Sequence, residues 1–289
     1  MALSYSAAAS GSLARFETSK RRRVLVTGAA GKIGSYFAEH ASDEYDLRLM
    51  VMGSEEGIEP LRAHGEVVTA SLDDLRRMKE ICKGVDTVLH LAASADPETK
   101  WNDLLSNNII GTYNAIVAAR AAGCRRVIFA SSIHAVSGYP GDMQVKTSEP
   151  VNPGDLYGVS KCFGEAMGRY MAEQEGLSVI VLRIGAFQAP ENVHRGTIEA
   201  MDMFCSKRDL QQLICKCIDV ESLRWAVFHA VSNNRFKRMD ISDARELVGY
   251  EPQDDFGQLH PSLKELDLWE NVKTACQSDG QQSGIRGDV

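Results

Sequence analysis

The chain has 289 residues, 44% of them hydrophobic, enough apolar side chain for a sizeable buried core. A net charge of -7, with its one concentrated basic run at Lys20–Arg23, leaves no electrostatic footprint for nucleic acid. The longest apolar runs, such as Val179–Leu182, fall far short of the roughly 20 residues a membrane helix needs, and seven cysteines without a CxxC pair point to reduced thiols in a cytoplasmic protein rather than a disulfide framework or a metal site.

Residues 1–20 are Ser/Ala-rich and poor in acid, which reads as a disordered tail, with an organellar transit peptide as the alternative. From Arg23 onward short β-branched runs alternate with amphipathic stretches. Strands are expected at Val24–Thr27, Leu47–Met52, Glu66–Thr69, Thr87–Leu91, Arg126–Ala130 and Ser178–Arg183. Helices are expected near Ile33–Ala41, Asp73–Cys82, Asn108–Ala122 and Tyr157–Gln174. Alternation of this kind, with near-continuous apolar strands, predicts an α/β protein over residues 21–184: a Rossmann-type doubly wound parallel sheet covered on both faces. Past Ile184 the alternation stops. Residues 185–276, with helical stretches near Glu221–Val231 and Asp243–Val248, are expected to form a small C-terminal substrate lobe, some of whose elements pack on the first domain. Residues 277–289 are Gln/Ser/Gly/Asp-rich and read as a second disordered tail.

The first strand runs directly into Thr27-Gly28-Ala29-Ala30-Gly31-Lys32-Ile33-Gly34. Glycines there permit a tight turn, let the backbone approach a pyrophosphate and allow close helix packing, while the following helix N-terminus favours an anion. Further on, Tyr157-Gly158-Val159-Ser160-Lys161 places a phenol and an ammonium four residues apart, on one face of a helix. A nearby cation favours the phenolate, which turns a poor base into a usable one.

The TGxxGxxG spacing, the YxxxK pair and Ser132, which lies 25 residues before Tyr157 at the end of the fifth strand, together resemble the extended short-chain dehydrogenase/reductase family. The resemblance implies hydride transfer to or from NAD or NADP. It makes Tyr157 the base and Ser132 the hydrogen-bond partner of the substrate oxygen, and gives Lys161 the further task of binding the nicotinamide ribose; Ser131 is expected to be structural. By the same resemblance Gly28, Gly31, Lys32, Ile33, Gly34, Ser71, Leu72, Leu91, Ala92, Ala93, Asn108 and Ile184 join Tyr157 and Lys161 around the cofactor. Val51 stands where an NAD enzyme usually carries an acid for the ribose, and Ser71-Leu72 replaces an Asp-Leu pair near the adenine, so the choice between NAD and NADP stays open.

Within that family, Asn108-Ile-Ile-Gly-Thr-Tyr-Asn114, Ala130-Ser-Ser-Ile-His134 and Leu156-Tyr-Gly-Val-Ser-Lys-Cys-Phe-Gly-Glu165 resemble uronate dehydrogenases. Those enzymes oxidise C1 of a hexuronate to the aldarolactone. The resemblance implies a sugar or sugar-acid substrate, a carboxylate clamp at Arg195, and pocket positions at Ser94, Ile133 and His134. Ile133 departs from the pattern, because an asparagine usually follows the catalytic serine and an aliphatic chain forms no hydrogen bond. Two other readings remain. One is a nucleotide-sugar epimerase or dehydratase, although Ile133-His134 replaces the acidic pair of the dehydratases. The other is a catalytically inactive dinucleotide-binding sensor or scaffold. Family members commonly form homo-oligomers.

Overall fold

Apolar runs with residues buried on both faces, such as Val24-Leu25-Val26 and Val127-Ile128-Phe129, make the strands, and the amphipathic stretches between them make the covering helices. The computed structural model describes residues 21–53, 58–187 and 202–265. Seven strands pair in parallel: β1 (Arg23–Thr27), β2 (Asp46–Val51), β3 (Glu66–Thr69), β4 (Thr87–His90), β5 (Arg126–Ser132), β6 (Ser178–Ile184) and, after a small parallel ribbon of β7 (Ala186–Phe187) with β8 (Phe204–Cys205), β9 (Trp225–Ala230). The order across the sheet is β3-β2-β1-β4-β5-β6-β9. It reverses direction between β1 and β4, and the crevice beyond the carboxyl ends of the strands at such a reversal is where open sheets bind ligands.

The helices are α1 (Lys32–Ala41), α2 (Ile58–Leu61), α3 (Leu75–Ile81), α4 (Trp101–Asp103), α5 (Gly111–Ala121), α6 (Leu156–Glu173), α7 (Lys207–Asp219) and α8 (Ser242–Val248), with two further single turns at Phe256–Leu259 and Pro261–Lys264. A π-helical segment, Leu104–Ile110, runs straight into α5. One apolar cluster joins Phe37, Leu213 and Ile214 to one face of the sheet; a second joins Met78, Ile116 and Met171 to the other.

All six strands expected from the sequence are present. The expected helix at Glu221–Val231 is not: its core is β9, hydrogen-bonded along β6 from Val179↔Trp225 to Ile184↔Ala230. A short run such as Trp-Ala-Val-Phe-His-Ala is ambiguous by periodicity, and here burial against β6 decides it in favour of its aromatic and β-branched residues. The helix α7 is not among those expected from the sequence. Its Ser206 accepts the Asp209 N–H at 3.2 Å, a serine cap that marks the start of this helix. Arg126, fully buried, ties β5 to the last turn of α7 and the chain beyond it by donating to the carbonyls of Cys217 (2.7 Å) and Leu223 (2.9 Å). Both terminal tails, 1–20 and 277–289, lie outside the described residues.

Candidate functional site

The glycine loop closes the carboxyl end of β1. Gly28 sits at φ 68°, in the left-handed region, and a Cβ there would lie 2.9 Å from Ala92 Cα. A Cβ on Gly34 would lie 2.4 Å from the Gly28 carbonyl oxygen, so α1 packs against the loop only because this residue has no side chain. Gly31 caps α1 without any side-chain hydrogen bond, which leaves the first backbone N–H groups of the helix open to an anion. These are the features a dinucleotide pyrophosphate requires, and the residues present fit that group.

Thr27 links the loop to β4. Its hydroxyl accepts the N–H groups of Leu91 and Ala92, each at 3.1 Å, and therefore donates its own proton to His90 Nδ1 at 2.8 Å. Burial, with the nearby Lys161 charge, lowers His90 to about 3, so this ring stays neutral. It serves the packing of the strand ends.

A cleft of about 510 Å3 opens at the switch point and brings together thirteen of the expected residues: Gly28, Gly31, Lys32, Ile33, Gly34, Leu91, Ala93, Ser132, Ile133, His134, Tyr157, Lys161 and Ile184. Ser71, Leu72, Ala92, Ser94 and Asn108 stand outside its walls. Asn108 is instead buried as a clip: its Oδ1 accepts the Ser94 N–H at 2.8 Å and its Nδ2 donates to Ser160 Oγ at 2.9 Å, holding the chain after β4 against α6. Leu72 packs on α5, its carbonyl accepting from Asn114 Nδ2 at 2.8 Å. Val51 is buried in the core at the end of β2. Arg195 lies outside the described residues.

Ser132 ends β5, and its Oγ accepts the His134 N–H at 3.2 Å to start a 3-10 turn over Ile133–Val136. Tyr157 and Lys161 project from the first two turns of α6, whose cap is Asp155. Tyr157 is buried and lines the cleft beside Ser132; burial and the Asp155 charge raise its phenol above the ordinary value, against the lowering effect of the Ser132 hydroxyl. Lys161 Nζ donates to the Ala130 carbonyl at 2.8 Å and lies 5.5 Å from the centre of the Tyr157 ring. Burial lowers this ammonium to about 8.

Several site residues were not singled out from the sequence. Ala186, Phe187 and Met203, on and beside the β7–β8 ribbon, form a wall of the cleft facing the glycine loop. Glu165 accepts from Ser131 Oγ at 2.7 Å and from Arg183 at 2.9 Å (Nε) and 2.8 Å (Nη2), a buried network directly under the Ser131-Ser132 strand end. Asp155 pairs with His134 at 2.6 Å. Among the described residues no group of three or more His, Cys, Asp or Glu side chains is arranged to hold a metal ion.

The profile of the NAD dependent epimerase/dehydratase family matches residues 24–218. The chain belongs to this family. It is 34% identical to a Haloferax volcanii protein named NAD-dependent glucose-6-phosphate dehydrogenase, over 84% of this chain and 98% of that one. It is 31% identical to a uronate dehydrogenase of Pseudomonas putida, over 82% of this chain and 86% of the relative. Among solved structures, a mutant uronate dehydrogenase of Agrobacterium tumefaciens complexed with NAD superposes with a TM-score of 0.76 at 30% identity, covering 85% of this chain and 89% of the other.

Proposed function

We propose that this member of the family is an NAD-dependent sugar dehydrogenase that oxidises the C1 hydroxyl of an anionic aldose, a hexuronate yielding the aldarolactone. The observation that carries the reading is the meeting of Ser132, Tyr157 and Lys161 with the glycine cradle in one cleft.

Ser132 and Tyr157 line the same cleft, so that one substrate oxygen can pair with both hydroxyls. Ser132 fixes that oxygen, and Tyr157 takes its proton. Because burial holds the phenol above its ordinary value, it needs the positive charge of Lys161 one turn away to become the base. A nicotinamide nucleotide bound in this cleft would supply the hydride acceptor. Gly28, Gly31 and Gly34 hold the pyrophosphate at the α1 N-terminus. Val51 offers no carboxylate to repel a 2'-phosphate, so NADP is a competing cofactor, and a thermal-shift titration with NAD, NADH, NADP and NADPH decides between them. Stabilisation by none of the four would overturn the assignment.

Arg195 supplies the guanidinium for the substrate anion, its planar fork matching a carboxylate or phosphate. A hexuronate is the first reading, from the Ala130–His134 and Leu156–Glu165 motifs. A sugar phosphate is the second, favoured by Ile133, which offers no hydrogen bond beside Ser132, and by the relative named for glucose 6-phosphate. A panel of hexuronates, sugar phosphates and neutral aldoses should show oxidation of an anionic sugar that Arg195→Ala weakens chiefly through KM. Turnover of neutral sugars alone, untouched by that substitution, would remove the clamp. Tyr157→Phe should abolish turnover while sparing nucleotide binding. We further propose a cytoplasmic homo-oligomer joined through α5 and α6, where Tyr113, Val159 and Tyr170 are exposed; light scattering of the purified chain tests the assembly.

A further inference from the structure

The His134 imidazole lines the cleft next to Ser132, and its ring centre lies 5.4 Å from that of Tyr157 in an edge-on arrangement. Its Nδ1 is 2.6 Å from Oδ2 of Asp155. The other carboxylate oxygen, Oδ1, accepts the Gly158 N–H at 2.7 Å and so caps α6, the helix that carries Tyr157 and Lys161. An ionised carboxylate only accepts, so the proton of a neutral His134 resides on Nδ1 and the lone pair on Nε2. Among the described residues no hydrogen bond is recorded at Nε2. Ile133, the other side chain beside Ser132, is buried and has no polar atom to offer.

We propose that Asp155 is a positioning residue for the sugar, locking His134 as the Nδ1–H tautomer so that Nε2 accepts from a substrate hydroxyl adjacent to the one Ser132 and Tyr157 hold. The inference rests on the dehydrogenase reading above and adds the polarity of one contact. Asp155 thus does two things with two oxygens. One oxygen sets the start of the catalytic helix, and the other sets which face of the imidazole is donor and which acceptor.

The two tasks separate in Asp155→Asn. The cap needs an oxygen facing Gly158 N–H, which forces the amide nitrogen into the place of Oδ2, opposite His134 Nδ1. A donor there requires the lone pair on Nδ1 and moves the proton to Nε2. The variant therefore keeps its cap and inverts the imidazole. The expected results are a melting temperature within about 2 °C of wild type, interchange of the two ring-nitrogen 15N shifts of His134, and a fall of roughly ten- to a hundred-fold in kcat/KM, as expected when a substrate donor meets a donor. Asp155→Ser, which caps α6 but does not reach the ring, should fall between the two. In a His134→Ala background Asp155→Asn should cause no further fall in kcat/KM, since removing the Asp155 charge by itself only eases ionisation of Tyr157.

An Nε2–H tautomer in the wild-type protein, or the same tautomer in both proteins, overturns the inference. Interchanged shifts with unchanged kcat/KM overturn the positioning role. A wild-type protein with Nδ1–H that oxidises no sugar of the panel refutes the dehydrogenase reading and the role with it, while its NMR signature shows that the tautomer itself is right.

Discussion

Lys161→Met tests how much stability the site gives up for its chemistry. The Lys161 ammonium is buried and brought from 10.5 to about 8 by burial alone. At about 1.4 kcal/mol per tenfold, that displacement corresponds to a cost of about 3 kcal/mol for keeping the charge in the folded protein. The Nζ hydrogen bond to Ala130 O offsets roughly 1 kcal/mol, and the position 5.3 Å from the Phe129 ring centre offsets about 0.5–1 kcal/mol more. Methionine has nearly the same shape and no charge, so Lys161→Met should stabilise the protein by about 1–2 kcal/mol at pH 7, a rise of roughly 2–8 °C at this chain length. The folded value lies below the unfolded one, so between about 8 and 10.5 the unfolded chain binds more protons at this site and wild-type stability rises with pH. That gain is complete above 10.5 and lost as pH falls through about 8. Urea titrations of both proteins at pH 7 and pH 10 should therefore show a gap favouring the variant that narrows as pH rises, while the variant loses turnover. A variant less stable than wild type at pH 7, or a gap of the same size at both values, would refute the reasoning.

Glu165→Gln should destabilise the chain by about 3–5 kcal/mol, because it strands the charge of Arg183, itself only 2% exposed, in the core. The double variant Glu165→Met with Arg183→Met should recover most of that loss in the same denaturation assay, and failure to recover would show that Ser131 rather than charge is the cause. Gly34→Ala sets a methyl 2.4 Å from the Gly28 carbonyl. With roughly 1–3 kcal/mol of strain falling on the glycine loop, calorimetry should find nicotinamide-nucleotide binding weakened about ten- to a hundred-fold, and unchanged affinity would show that this loop does not hold the cofactor.

What the sequence made legible follows from the range of the forces involved. The strands of the sheet centre are buried on both faces, so their own composition reports their environment, and β1, β4 and β5 were readable one at a time. The glycine loop was readable for a similar reason, since its backbone geometry is local. β9 lies at the sheet edge and draws its identity from β6, some 46 residues earlier, as the pairing Val179↔Trp225 shows. Nothing within its own run states that dependence. The candidate site divides in the same way. Tyr157 and Lys161 share one helix face and are legible as a spacing. The groups that set their surroundings reach across the fold: Asp155 to His134 over 21 residues, and Glu165 to Ser131 over 34. Both acids stand within a turn of the YxxxK pair, where each reads as an ordinary helix-surface carboxylate until its distant partner is placed. In the proposed reaction, oxidation of the carbinol would need the tyrosine and the lysine, and the choice of sugar would depend on the cleft wall formed by β5, the 3-10 turn and the β7–β8 ribbon. On that proposal, reaction type is encoded in a local spacing and substrate choice in long-range contacts. Ile133 and the Asp155–His134 pair are therefore the positions at which the proposed sugar preference should be tested first.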